Sequence, residues 1–356
     1  MKRILTALMI LCLLFSGCSD GSRNAAGQTV VNLLNWGDYI DPESLRIFEA
    51  ENPDIALNMT TTDSNEAMYV TTATEGTQID IIIPSEYMIQ RMMREDMLAE
   101  LDHALLPNYE YVAEFTERVC TYDPDGRYSV PYSWGTFGIL YNEDLVDEPI
   151  DSWDALFDPR YAGQILMYDS IRDSLGVAFI KLGYDLNTTD PAKIQAAADL
   201  LISQKPIVLA YGTDDLRISM SNGSAAMAAM YAGDAVYAMQ DNDSLRFVVP
   251  REGANIFVDA MAVLKTTDVY DEALRFINFM MRPDIAAMNA AYTGYSTPEP
   301  AAEQYLDEDI LTNNAFHPAD DELVNTDYYV PLSRETMKQY EYAWLAVKAS
   351  SAPPQF

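Results

Sequence analysis

Histidine is almost missing from this sequence: of 356 residues only His103 and His317 are histidines. They are far apart and have no metal-ligand spacing. No His-Glu-x-x-His, Gly-x-Ser-x-Gly, P-loop or Gly-x-Gly-x-x-Gly pattern occurs either, so metal-assisted hydrolysis, serine acyl transfer and nucleotide binding have no motif to rest on. Both histidines are expected at the surface, and no metal or cofactor is expected. Basic residues are also scarce, 22 against 55 acidic ones, for a net charge of −33. Such a chain repels nucleic acid and draws cations toward itself. Carboxylates are numerous enough to supply the acid pair of a glycosidase, but their number alone does not point to one.

Long apolar runs are absent apart from one at the very start. Lys2 and Arg3 precede an apolar stretch over residues 4–15, and Ser16-Gly17-Cys18 follows. The stretch is too short to span a bilayer comfortably. The pattern is that of a lipoprotein export signal over residues 1–17, with Cys18 as the acylated first residue of the mature protein and residues 18–28 as a polar tether. Of the three cysteines, Cys12 leaves with the signal and Cys18 carries lipid, so Cys120 is the one remaining thiol. That excludes a disulfide framework within the chain. Without Lys2 and Arg3 the mature chain has 20 basic against 55 acidic residues, a net of −35.

Length suggests two domains of ordinary size. Apolar runs and helical patterns alternate along the chain, as βαβ units do, which predicts an α/β protein with a parallel sheet. Strands are expected at 29–34, 55–59 (with period two) and 79–83. Helices are expected at 41–51, from Ser64, and from Ser85, with the Ser85 side chain as N-cap. After a turn at Tyr122-Asp-Pro-Asp-Gly126, two β-rich runs, 128–132 and 137–141, flank Ser133-Trp-Gly135 and suggest a crossing to a second lobe. A second α/β set follows: strands at 165–168, 207–211, 225–231 and 245–249, and helices at 173–182 and from Asp190-Pro191. Residues 256–264 suggest the return crossing. Helices are expected again at 271–281, at 284–293 closed by Gly294, and near 333–348. No internal repeat or low-complexity tract is present, which argues against a scaffolding role.

Aromatic residues and acids recur together at the ends of these elements. Trp36, Gly37, Asp38 and Tyr39 close the first strand, Ser85, Glu86 and Tyr87 follow the third, and Ser170 and Asp173 follow the run at 165–168. Tyr231 precedes Asp234, Phe257 precedes Asp259, and Tyr295 follows Gly294. Turns and helix starts collect such residues for capping reasons alone. Together they can line a cleft whose walls are aromatic and whose ends are acidic, which is what an organic cation needs.

These segments resemble the polyamine-binding (spermidine/putrescine) substrate-binding proteins of ABC importers, over nearly the whole chain from about Val30 to Lys348. The markers are Asn35-Trp-Gly-Asp-Tyr39, Ser64-Asn-Glu-Ala-Met-Tyr69, Pro84-Ser-Glu-Tyr87, Val130-Pro-Tyr-Ser-Trp-Gly135, Ser152-Trp-Asp-Ala-Leu156, Arg172-Asp173, Ile256-Phe-Val-Asp259, Leu274-x-x-Ile-Asn-Phe279 and Thr293-Gly-Tyr-Ser-Thr-Pro298. The resemblance implies a two-lobe periplasmic-binding-protein-like fold of type II with the ligand cleft between lobes. One lobe would be residues 29–134 plus 258–303, and the other 135–257 plus 304–356.

It further implies a ligand site of Trp36, Gly37, Asp38, Tyr39, Ser85, Tyr87, Ser170, Asp173, Tyr231, Phe257, Asp259, Tyr295 and Tyr329. In that scheme Asp259 holds one amine, Asp173 and Asp38 serve the others, and Tyr231, Phe257 and Trp36 clamp the methylenes. The chain departs from the family at Gly37 (a hydroxyl residue there), Ser170 (an acid), Tyr231 and Phe257 (two tryptophans) and Tyr329 (a glutamine), which leaves the choice between putrescine and spermidine open. The expected partners are a polyamine, an ABC permease with its ATPase, and the membrane through the lipid anchor. The alternatives are the same fold with another cationic amine or a small oligosaccharide, and an exported carboxylate-dependent hydrolase.

Overall fold

The computed structural model describes residues 23–350 except 75, 214 and 320. The signal segment, Cys18 and the first part of the tether lie outside the described residues. Nine strands are described: β1 Thr29–Asn35, β2 Ile55–Thr61, β3 Ile81–Ile82, β4 Ser129–Asn142, β5 Ile165–Tyr168, β6 Val208–Gly212, β7 Met227–Tyr231, β8 Leu245–Val248 and β9 Ile256–Val263. They pair in the order β2-β1-β3-β9-β4-β7-β5-β6, with β8 beside β4.

Local chemistry accounts for the helix starts. Asp41 accepts from the Glu43 backbone N–H at 2.8 Å, and Pro42 opens the helix Pro42–Glu51. Ser64 caps Asn65–Ala73, Asp190 caps Pro191–Gln204 and Ser333 caps Arg334–Ala349 in the same way. An oxygen at these positions satisfies an N–H that has no partner in the helix, worth about 1 kcal/mol each. At the other end Gly294 (φ +71°) stops the helix Pro283–Thr293 in the left-handed region.

Three expectations need correction. The sheet is mixed rather than parallel: β1 runs parallel to β2 and β3, and β5 to β6 and β7, but β9 is antiparallel to both β3 and β4, and β4 to β7 and β8. The two runs around Ser133-Trp-Gly135 are one fourteen-residue strand, β4, which pairs with β9 up to Thr136 and with β7 and β8 from Phe137 onward. Lastly, β2 shows no two-residue alternation. Only Ile55 is buried, because β2 is an edge strand paired on one side alone.

The apolar core divides where β4 changes partners. One cluster gathers Val31, Leu33, Phe48, Ile81, Val263, Phe276 and their neighbours, with a smaller one of Leu34, Ile82, Met88 and Ile89 on the opposite face of the sheet. The other large cluster begins at Phe137 and takes in Trp153, Leu166, Phe179, Met227, Phe247 and Tyr340. Each fully buried side chain of this size contributes roughly 1.5–3 kcal/mol. Both halves therefore have cores of their own, joined through β4 and β9.

Candidate functional site

At the end of β1 the chain turns sharply. Asp38 has φ +46°, a left-handed conformation that Asp tolerates better than most residues. That turn leaves Gly37 and Asp38 exposed and sends Tyr39 inward, where it is buried. The Tyr39 hydroxyl donates to Asp259 Oδ2 at 2.6 Å, and Tyr132 donates to the Tyr39 carbonyl at 2.6 Å. Trp36 is held by its indole N–H, which donates to the Ile83 carbonyl at 2.8 Å. The charge of Asp38 acts on Tyr237 and Tyr292.

Ser85 occupies the N-cap position of the helix Glu86–Arg94, but its side chain makes no capping hydrogen bond, contrary to expectation. Asn65 explains this: its Nδ2 donates to Ser85 Oγ at 3.0 Å and its Oδ1 accepts from Ser85 N at 3.0 Å. The hydroxyl is thereby turned toward Asp259, with which Ser85 forms an isolated antiparallel bridge. Asp259 is 5% exposed. Burial lifts its carboxyl to about 6, against the opposing pull of the Ser85 and Tyr39 hydroxyls. Its Oδ1 is buried with no well-aligned donor among the described residues.

A second acid lies on the other side. Ser170 caps the helix Ile171–Lys181, two residues earlier than expected, which puts Asp173 in its first turn. Asp173 Oδ1 accepts from the Tyr231 hydroxyl at 2.9 Å and the Tyr329 hydroxyl at 3.1 Å. Burial raises this carboxyl too, with the Ser170, Tyr231 and Tyr329 hydroxyls and Arg172 opposing. Arg172 is adjacent, but its Nη donors are directed to the Val330 carbonyl and Asn187, its Nε is buried with no well-aligned acceptor among the described residues, and its guanidinium faces the Tyr329 ring at 4.2 Å.

Aromatic rings connect the two acids. Tyr39 meets Tyr295 at 5.6 Å between centroids, Tyr295 meets Phe257 at 5.6 Å, and Phe257 meets Tyr231 at 5.2 Å, all edge to face. Phe137 and Tyr168 pack behind Tyr231. Tyr87 donates to Glu66 at 3.2 Å, and its ring lies 6.4 Å from that of Tyr329. An unbroken path thus runs from one buried carboxyl to the other: Asp259, Tyr39, Tyr295, Phe257, Tyr231, Asp173. A surface of this kind offers π faces to methylenes and cations, each face worth ~0.5–2 kcal/mol to a cation.

Residues 43–318 match the family of bacterial extracellular solute-binding proteins. This chain belongs to that family. Among its relatives, the spermidine/putrescine-binding periplasmic protein of Salmonella typhimurium is 33% identical over 298 residues, covering 83% of this chain and 85% of the relative. A putative spermidine/putrescine ABC transporter structure from Listeria monocytogenes superposes with a TM-score of 0.85 at 39% identity, over 90% of this chain and 99% of the other. The spermidine/putrescine substrate-binding protein PotD of Streptococcus pneumoniae gives 0.78 at 38% identity, over 90% and 98%. These solute-binding proteins have two lobes, and the periplasmic-binding-protein-like fold is shared here. By their names these relatives bind or transport; none is named as an enzyme.

For a solute-binding protein the approach of the two halves matters most, and it depends on two glycines. A Cβ on Gly233, in the helix Ala232–Asp241, would sit 2.5 Å from the Tyr295 ring, and one on Gly294 would meet the Gly233 carbonyl at 2.7 Å. Gly233→Ala must therefore displace Tyr295 from between Tyr39 and Phe257. The expected result is a loss of ligand affinity of about tenfold (~1.4 kcal/mol) with a thermal midpoint little changed without ligand. Unaltered affinity in a titration would show that Tyr295 is not held there by this contact.

Sequence reasoning missed several residues of this region. Tyr132, Phe137 and Tyr168 support the aromatic row, and Gly233 admits it. Glu86 was seen only as part of a motif, although it is 1% exposed and its Oε2 accepts from Val258 N, one residue before Asp259, at 3.0 Å. Its single signal was its place between Ser85 and Tyr87. His103 and His317, expected at the surface, are both exposed.

Proposed function

We propose that this protein captures a polyamine, spermidine and/or putrescine, outside the cytoplasm and delivers it to the permease of an ABC importer. One observation carries the reading beyond the family match: two buried carboxyls, Asp259 and Asp173, neither of them in an ion pair among the described residues, terminate one continuous row of aromatic rings. An unpaired buried carboxylate costs several kcal/mol, and a protonated amine at each end would remove that cost while the rings cover the methylenes between. A sugar would instead need free hydroxyls along the wall, but those of Tyr39, Tyr231 and Tyr329 already donate to the acids.

The ligand set we assign is Trp36, Gly37, Asp38, Tyr39, Ser85, Tyr87, Ser170, Asp173, Tyr231, Phe257, Asp259, Tyr295 and Tyr329, with Asp38 and Gly37 at the exposed rim. The lobes are residues 29–134 with 258–303, and 135–257 with 304–356; the exchange of partners along β4 supports this division. Ligand held between them favours the closed arrangement over the open one. Ser16-Gly17-Cys18 supports a lipid anchor at Cys18, which would keep the exported protein at the membrane beside the permease. The energy for transport is assigned to the importer's ATPase, and no chemistry to this chain.

The test is a calorimetric titration of the chain freed of its signal segment, first with spermidine and then with putrescine, at moderate salt. One-to-one binding at micromolar or tighter affinity is the expected result for at least one of them, and their ratio measures the effect of Ser170 in place of an acid. No heat and no thermal shift with either would overturn the ligand assignment.

A further inference from the structure

Glu86 is the most deeply buried acid beside the cleft, and the ligand set above does not use it. Its Oε2 accepts the Val258 N–H at 3.0 Å, while Oε1 is buried with no well-aligned donor among the described residues. The groups that face it come from several elements. Asp259 and the Val258 backbone belong to β9, and Tyr87 to its own helix. Cys120 and Tyr122 come from the turn after the helix Ala113–Val119, Arg172 from the helix Ile171–Lys181, and Tyr328 from the segment after Asp327.

None of these supplies a counter-charge in contact. Burial pushes the Cys120 thiol up to about 12 and raises the Tyr87, Tyr122 and Tyr328 hydroxyls, so all four are neutral at ordinary pH. Arg172 has its Nη donors on Val330 and Asn187. The Tyr122 hydroxyl is itself buried without a partner. Burial first, and then the Asp259 charge, move the Glu86 carboxyl up to about 8 against the pull of the Val258 N–H and Arg172.

The covering groups are not all on one side of the molecule. Arg172 packs with the second half, and the Tyr328 carbonyl accepts from Asn187 Nδ2 at 2.8 Å while Asn187 Oδ1 accepts from Val330 N at 2.9 Å. From the first half the Val258 N–H holds Glu86, while Asn65 holds the preceding Ser85. Separation of the halves would withdraw Arg172 and Tyr328 and let water reach the carboxyl.

We propose that Glu86 is a positioning residue that carries a proton into the closed cleft, where it clamps the Val258 N–H beneath Phe257 and Asp259, and that it gives up that proton when the lobes part. Closure on ligand is then accompanied by uptake of one proton from solvent onto Glu86, and ligand is held less tightly as that proton becomes harder to obtain. The inference rests on the ligand-capture reading above but makes a separate demand on it.

The experiment titrates the exported protein with putrescine and spermidine between pH 6 and 9, in buffers of different ionisation enthalpy, for the wild type, Glu86→Gln and Glu86→Ala. The wild type should lose affinity as pH rises from 6 toward 8, approaching tenfold per pH unit, and level off above that, and its binding enthalpy should vary with the buffer below pH 8. Glu86→Gln keeps an oxygen to accept the Val258 N–H. It should bind at pH 7 at least as tightly as the wild type, because it has no proton to take up, with the Glu86 share of the pH dependence and proton uptake removed. Glu86→Ala should bind at least tenfold more weakly than Glu86→Gln at every pH, because the Val258 N–H is left unsatisfied. A loss of affinity with rising pH that is identical in wild type and Glu86→Gln would overturn the inference while leaving the ligand assignment intact.

Thermal melts at saturating ligand, which hold the lobes closed, provide a second check. A folded-state value near 8, above an unfolded one of about 4.3, gives stability that is present at low pH and lost as pH rises through 8. The midpoint advantage of Glu86→Gln over wild type should therefore grow from pH 5 to 8 and then level off. A difference that stays flat with pH at saturating ligand would equally overturn the inference.

Discussion

Asp259→Asn should lower polyamine affinity at least tenfold and, at pH 7, raise the melting temperature of the ligand-free protein. Removing one member of a buried, hydrogen-bonded charge pair typically costs about 2–5 kcal/mol of binding. Asp259 has the features for that size of effect: a buried Oδ1 with no well-aligned donor, a Tyr39 hydroxyl on Oδ2, and an end position on the aromatic row. The gain in stability has the same origin as the loss in affinity. A carboxyl that ionises near 6 when folded and near about 3.9 when unfolded contributes stability below pH 4 and loses it as pH rises through 6. At neutral pH the closed, ligand-free protein carries that deficit, up to about 3 kcal/mol, and an amide does not.

Melting curves of both proteins from pH 4 to 8 should converge at the acid end and separate up to about pH 6, the variant melting higher. An unchanged titration would remove Asp259 from the ligand site. A variant that melts lower at pH 7 would show instead that its carboxylate is compensated by groups other than Ser85 and Tyr39.

Asp173→Asn should have the second-largest effect, again at least tenfold (~1.4 kcal/mol or more), on putrescine and spermidine alike. The amide keeps an oxygen for the Tyr231 and Tyr329 hydroxyls, so the aromatic wall and the fold should survive. What is lost is the charge at the second end of the row. Ser170, where the resemblance implies a carboxylate, is instead the helix cap, its side chain accepting from the Asp173 N–H. With a serine there, that position supplies no carboxylate to take over. Combined with Asp259→Asn, binding should fall below detection in a calorimeter. Persistent micromolar binding in the double variant would mean that the ligand is held elsewhere, with Asp38 at the rim the first residue to test.

Several features were legible because they are decided within a few residues. Asp41, Ser64, Asp190 and Ser333 cap helices because a short polar side chain can reach an N–H two or three positions on. Gly294 ends a helix because only a residue without Cβ takes φ +71° at little cost. The aromatic residues and acids of the cleft stood out for the same local reason, since each lies at the end of a strand or the start of a helix, where side chains leave the sheet together.

Partner choice across long sequence separations was not legible. β-rich runs on either side of Ser133-Trp-Gly135 read as two strands, yet pairing with β9 on one side and with β7 and β8 on the other makes them one, because ladder hydrogen bonds decide where a strand ends. The same antiparallel crossings make the sheet mixed, which the strand–helix rhythm of each half cannot reveal. Ser85 has the sequence signature of a cap, but Asn65 turns its hydroxyl toward Asp259 instead. Burial separated the acids: Asp38 is exposed, whereas Asp173, Asp259 and Glu86 are enclosed by segments far away in the chain.

By itself, then, the sequence determined the export signal pattern, the α/β rhythm, the capped helix starts at Asp41, Ser64, Asp190 and Ser333 and the supply of aromatic and acidic side chains at element ends, since composition and short-range spacing suffice for these. Tertiary structure alone decided which acids lose water, which hydroxyls they receive in exchange, and how closely the two halves approach. Those outcomes depend on contacts such as Tyr39 with Asp259, 220 residues apart, and desolvation is a property of the assembled surroundings rather than of any local segment.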